Sequence, residues 1–169
     1  SIQPMDLKTV RSGPPMTPSA YNNNFHMVQS KDAVVILNEQ AHDARVVPLD
    51  GRPHLNSNLQ QWRGDSRGHF EGDTLVVETT NFTGRTNFMG SSDRMKLTER
   101  FTRVASDVLL YEFTVDDPSS YTRPWTAQIP MTRPDGQMYE YACHEGNYGM
   151  FGILSGALSL IHISEPTRR

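Results

Sequence analysis

The chain holds one cysteine, Cys143, in 169 residues. A lone thiol closes no internal disulfide, and there is no CxxC or Cys/His zinc spacing, so cysteine usage leaves the redox compartment open. No apolar run approaches the roughly 18 residues of a membrane-spanning helix. Basic blocks are missing as well: 16 Lys and Arg against 19 Asp and Glu give a formal charge of −3. That balance argues against a non-specific nucleic-acid binder, whose affinity comes from clustered cations. There is no internal repeat, and no stretch reads as an amphipathic helix between the strand-like runs.

What is present is a succession of short β-rich runs separated by turn signals. Residues 1–24 are poor in periodic apolar residues and hold Pro4, Pro14, Pro15 and Pro18. They read as an extended lead-in, ordered only where it packs on something. Phe25–Ser30 and Ala33–Glu39 flank Lys31–Asp32 as a hairpin, and Ala44–Leu49 follows. Residues 52–64 are irregular, with a short helical turn at Leu59–Trp62. Two strands between Ser66 and Phe82 meet at Glu71–Gly72–Asp73, where glycine supplies the positive φ of a hairpin turn. Met95–Val104 and Val108–Asp116 meet at Ala105–Ser106–Asp107. Arg123–Arg133 and Gln137–Cys143 are the last pair, and Gly-rich chain continues to Ala157. About nine strands spaced roughly ten residues apart predict an all-β antiparallel up-and-down barrel of eight or nine strands. Period-two alternation puts Met95, Leu97 and Phe101 on one face of their strand. Leu109, Tyr111, Phe113 and Val115 share a face, as do Trp125, Ala127, Ile129 and Met131.

The final string LSLIHISEPTRR, Leu158–Arg169, resembles a translated sequencing adapter, and the first residue is Ser1 rather than Met. The expected division is therefore a lead-in over 1–24, a barrel domain over 25–157 truncated at both ends, and a non-native tail over 158–169.

Several strings are specific: YNNN at 21–24, PLDGRPH at Pro48–His54, WRGDSRGHFEGDTLVVETTNFTG at Trp62–Gly84, LTERFTR at Leu97–Arg103, YTRPWT at Tyr121–Thr126 and YEYACHEGNYGM at Tyr139–Met150. On these the chain resembles a large family of uncharacterised bacterial secreted proteins, with Phe70 standing where that family has Trp. The resemblance implies a periplasmic or extracellular location and brings no catalytic residues with it. The order of hairpins is similar to that of lipocalin-like (calycin) barrels, an analogy of fold alone.

Candidate chemistry is sparse. GDSRG at Gly64–Gly68 matches the G-x-S-x-G elbow, but that motif needs a strand before Ser66 and a helix after it, and here a hairpin strand follows. Glu99 falls on the apolar face of its strand with Arg103 further along the same face, and a carboxylate facing a core must be paired or hydrated. In a filled barrel the two form a structural ion pair. In a hollow one they anchor a small apolar ligand walled by Tyr111, Phe113 and Trp125. His42, His54 and His144 lack close-spaced metal-ligand pairs and form a metal site only by converging in space. His54, His144 and Glu145 are the candidates for acid/base chemistry at a barrel mouth. Cys143 reads as a small buried residue.

Three functional classes follow: an exported small-molecule binder with an apolar interior, a metal- or carboxylate/His-dependent enzyme, and a filled structural or interaction domain. No cofactor is implied, the one partner class indicated is a small apolar ligand, and no feature encodes the oligomeric state.

Overall fold

The structure, a computed structural model, describes residues 14–18, 24–39, 43–85, 88–136 and 148–164. The chain divides into two units, Ser1–Asp135 and Gly136–Arg169. The first unit is all-β. Its strands are β1 (Phe25–Gln29), β2 (Ala33–Asn38), β3 (Asp43–Pro48), β4 (Asp65–Glu71), β5 (Thr74–Thr80), β6 (Lys96–Arg103), β7 (Val108–Asp116) and β8 (Trp125–Thr132). They pair antiparallel in chain order, as a three-stranded sheet β1-β2-β3 and a five-stranded sheet β4-β5-β6-β7-β8. The expected strand at Gln137–Cys143 lies outside the described residues.

Alternation decides which side chains meet. Gly68, Val77, Glu99, Phe113 and Ala127 stand in one row across the five strands, and Leu75, Phe101, Tyr111 and Ile129 in the next. These positions face inward. Leu97, Val77, Tyr111 and Val115 have no exposed surface, and Phe101 and Phe113 are nearly as covered. The opposite face carries polar pairs: Thr74 with Thr102, Thr114 with Thr126, Gln128 with Glu112 and Arg100 with Glu71. The period-two pattern thus yields one dry face and one wet face, as expected of an antiparallel sheet covered on one side. The two-residue turn after Glu71 is built on Gly72 at φ 59°, as a hairpin of this length requires.

A closed barrel is not what forms. Neither sheet closes on itself. The ladder breaks between β3 and β4, where segment 49–64 leaves the sheet. Pro53 sits in this segment, and its backbone carbonyls are held by side chains of β4 and of the residue after β5: Arg67 takes the Pro53 carbonyl, and the Asn81 amide takes those of Leu55, Asn56 and Leu59. No helical turn forms at 59–62; Gln61 instead bridges to Phe82. The sheets meet by side chains. A Cβ on Gly68 of β4 would lie 2.8 Å from Val47 Cγ1 of β3 and 3.0 Å from Leu49 Cδ2. Glycine there lets the three-stranded sheet close on the five-stranded one. One shared core results, with Met16, Val34, Ile36 and Val47 joined to Leu75, Val77, Leu97, Phe101, Tyr111, Phe113 and Val115.

The second unit contains α1 (Tyr148–Ser164), where coil was expected as far as Ala157. The glycines at 149, 152 and 156 read as loop, but the Leu, Ile, Met and Ala residues between them favour helix, and no proline interrupts them. The helix runs continuously through Leu158, and its described side chains, among them Tyr148, Phe151 and Ile153, are exposed. No helix among the described residues is long and apolar enough to cross a membrane.

The register makes a direct prediction. Phe113→Ala should cost about 3–5 kcal/mol through lost burial and a residual cavity. Thr114→Ala, one residue on and facing outward, should cost under about 1 kcal/mol. Urea denaturation of both variants checks this; equal costs would mean a strand shifted by one residue.

Candidate functional site

The inward row of β6 places Glu99 in the core with no exposed surface. Its partner is Arg45 of β3. Arg45 Nη1 donates to Glu99 Oε2 at 2.5 Å, and Nη2 donates to Oε1 at 3.1 Å. Tyr111, one strand over on β7, donates its hydroxyl to Oε1 at 2.8 Å. The same hydroxyl accepts the backbone N–H of Met16 at 2.9 Å. The network therefore runs from the lead-in through Tyr111 to Glu99 and across to the other sheet. Every member is nearly or fully buried, so each hydrogen bond acts in a low dielectric and each missing one would be costly. Burial works against the Arg45 charge, but the adjacent Glu99 carboxylate outweighs it and raises the guanidinium pKa. Burial, then the Glu99 charge, pushes the Tyr111 phenol well above its ordinary value. Tyr111 is thus a neutral hydroxyl.

Arg103 plays no part in this network. It ends β6, lies exposed, and donates to the backbone carbonyls of Ala105 and Ser106. The expected Glu99–Arg103 pair fails on distance: four residues along a strand span about 13 Å. Arg45 takes its place, and the sequence did carry a signal for it. Arg45 is in phase with the buried Val47, as Glu99 is with Leu97 and Phe101, so an inward cation and an inward anion stood on two strands.

The other candidate wall residues form an aromatic chain. Tyr111 lies 5.0 Å from Phe101 and 5.6 Å from Phe113, between ring centroids, and Phe113 meets Trp125 edge-on at 5.7 Å. Trp125 also stacks on Phe88 and meets Tyr121 edge-on. Tyr111 and Phe113 are buried in this packing, whereas Trp125, Ala127, Ile129 and Met131 on β8 are half-buried. Among the described residues, two sets of buried donors have no hydrogen-bond partner: Trp125 Nε1, and Nη1 and Nη2 of Arg63. The Nε of Arg63 pairs with Asp43. Burial foremost, and Arg45 nearby, lower the Arg63 pKa against the pull of Asp43.

A second constellation lies on the other side of β4. Asp65 is buried and accepts the Leu55 N–H at 3.0 Å and Arg67 Nη1 at 2.7 Å; its Oδ2 is 2.9 Å from Nδ1 of His54. Burial alone would raise the Asp65 pKa, but the Leu55 N–H, His54 and Arg67 together hold it below the ordinary carboxylate value. An ionised Asp65 only accepts, so the Nδ1 of His54 is the donor in this contact and Nε2 is the ring nitrogen turned away from it, the arrangement that orients a general base or a metal-ligating imidazole. Nothing in the sequence marks Asp65, because strand alternation does not show that segment 49–64 folds over it. Ser66, on the inner face, hydrogen-bonds Thr79 Oγ1 at 2.9 Å within a continuous strand, which is not the strand–turn–helix of a nucleophile elbow.

His42, Cys143, His144 and Glu145 lie outside the described residues. Among the described residues no three His, Cys, Asp or Glu side chains gather within metal reach. No family model, curated protein or solved structure matches this chain.

Two predictions follow from these geometries. Glu99→Gln alone leaves Arg45 buried without its counter-charge and should cost about 3–5 kcal/mol, whereas the Arg45→Met, Glu99→Leu double change should cost much less than the two single changes summed. Arg103→Met should be near neutral. A double-mutant cycle in guanidinium chloride reads these values, and additive costs would show the pair to be uncoupled. The second concerns acid. Because folding lowers the Asp65 pKa, its contribution to stability is complete above the ordinary aspartate value of 3.8 and is lost as pH falls through the folded value. Asp65→Asn should therefore flatten the fall in melting temperature below pH 4; an unchanged acid limb would place the sensitivity elsewhere.

Proposed function

We propose that Ser1–Asp135 is a binding domain for a small, mostly apolar ligand carrying one N–H or O–H donor. The observation that supports this is the Tyr111 hydroxyl. It is a neutral acceptor set among apolar and aromatic side chains, held in place by Glu99 and Arg45, and it takes a hydrogen bond from a donor belonging to neither sheet. A largely apolar interior with few placed polar groups is the composition of a small-molecule site. The anchor is thus Tyr111 backed by Glu99 and Arg45, in place of Glu99 with Arg103, and Trp125 contributes an aromatic wall. Lipocalin-like barrels bind ligands in an interior lined by an antiparallel meander; here two packed sheets, neither closed, share one apolar core. The family resemblance supports export to the periplasm or cell exterior.

A second reading, an enzyme using His54 as acid or base, draws support from the Asp65–His54 pair, since a carboxylate on Nδ1 is how catalytic imidazoles are oriented.

Tyr111→Phe separates the binding reading from a structural one. The wild-type chain should prefer ligands with the N–H or O–H donor over isosteres without it by about five- to tenfold, the worth of one neutral hydrogen bond. The Phe variant should lose that preference. Native mass spectrometry and calorimetry with paired amide and ester ligands measure it. Uptake of neither ligand by the wild-type chain, or an unchanged preference in Tyr111→Phe, would favour a filled structural domain.

A further inference from the structure

The donor that satisfies Tyr111 comes from Pro14–Pro15–Met16, a segment in neither sheet. All three residues are buried, Met16 to 3% exposure, while Pro18 is already exposed. The Met16 N–H bond to the Tyr111 hydroxyl ties segment 14–18 to β7. Neither proline has an N–H to offer, and the buried Thr17 hydroxyl has no partner among the described residues. Every strand, in contrast, is held by a ladder of backbone bonds. Segment 14–18 thus enters the core from outside both ladders. Segments outside the strand ladders are where local opening occurs, at a lower free energy than global unfolding.

Its chemistry also matches that of the ligand class proposed above: a compact apolar body, two prolines and a thioether, around a single N–H. We infer that Pro14–Met16 is the resident occupant of the Tyr111 site, an intramolecular peptide ligand that an incoming molecule must displace. This rests on the binding reading and adds regulation to it. Affinity for an external ligand is reduced by the fraction of molecules in which the segment is seated. The external partners that fit best are proline-containing peptides or small amides, which reproduce the segment's own contacts.

The full chain carrying Pro14→Gly, Pro15→Gly and Met16→Gly tests the inference. The probe is a fluorescein-labelled peptide of residues 12–19, followed by fluorescence polarisation, with a second peptide bearing Met16→Gly as control. The peptide should bind the triple variant at least tenfold more tightly than it binds the wild-type chain, and the control peptide should bind neither. Equal affinity for the two chains, or a folded triple variant that takes up no peptide, overturns it. Should the variant not fold, hydrogen exchange on the wild-type chain decides. The Met16 amide should exchange at least tenfold faster than the Tyr111 amide of β7; equal rates would show that the segment opens only with the whole domain, and would overturn the inference. The paired amide and ester ligands separate the two readings. Peptide binding without any small-molecule binding defeats the small-ligand function and leaves the resident segment standing. Small-molecule binding that is the same in wild type and variant does the reverse.

Discussion

Glu99 sits where no water reaches it, and the rest of the first unit is arranged so that its charge is met. A bare carboxylate in that position would oppose folding by several kcal/mol. Arg45 meets it with two N–H groups from the other sheet, and Tyr111 adds a third donor from the next strand. Because its two principal partners lie on β3 and β6, the ion pair specifies how one sheet sits on the other, which a wholly apolar interface would leave less defined. The close approach at Gly68 makes that placement possible. A larger residue there would hold Val47, and with it the strand that carries Arg45, away from the core.

The same network explains why the interior has a polar centre. Tyr111 donates to the carboxylate and so has an oxygen lone pair to offer, and the Met16 N–H takes it up. A phenol held neutral and aimed by a charged pair is a directional acceptor in a low-dielectric setting, where one hydrogen bond discriminates more than it would in water. The binding reading and the role of the N-terminal segment both derive from this one oxygen. The Asp65–His54 pair belongs to a different part of the fold, the outer side of β4 under segment 49–64, and its chemistry is independent of the interior.

Much of the architecture was legible because strands report themselves by alternation. The inward sets on β6, β7 and β8 follow from period two alone, as does the inward placement of Glu99. The turn at Gly72 was legible for a related reason, since a short hairpin demands a residue that tolerates positive φ. The helix over Tyr148–Ser164 was missed because three glycines outweighed the residues between them, and a count of glycines says nothing about whether a helix finds enough good formers to propagate.

What the amino-acid order determined by itself is local: which residues alternate, where the chain turns, and that an anion faces a core. The tertiary structure alone decided the rest. It broke the meander between β3 and β4 instead of closing it, since segment 49–64 is held by side-chain hydrogen bonds outside both ladders. It gave Glu99 to Arg45 and left Arg103 at the surface, because an ion pair needs a few ångströms and residues four apart on a strand are about 13 Å apart. It brought Asp65 under His54 and seated Met16 on Tyr111, 95 residues away in the chain. Such partnerships depend on distance in space, which no periodicity along one strand encodes.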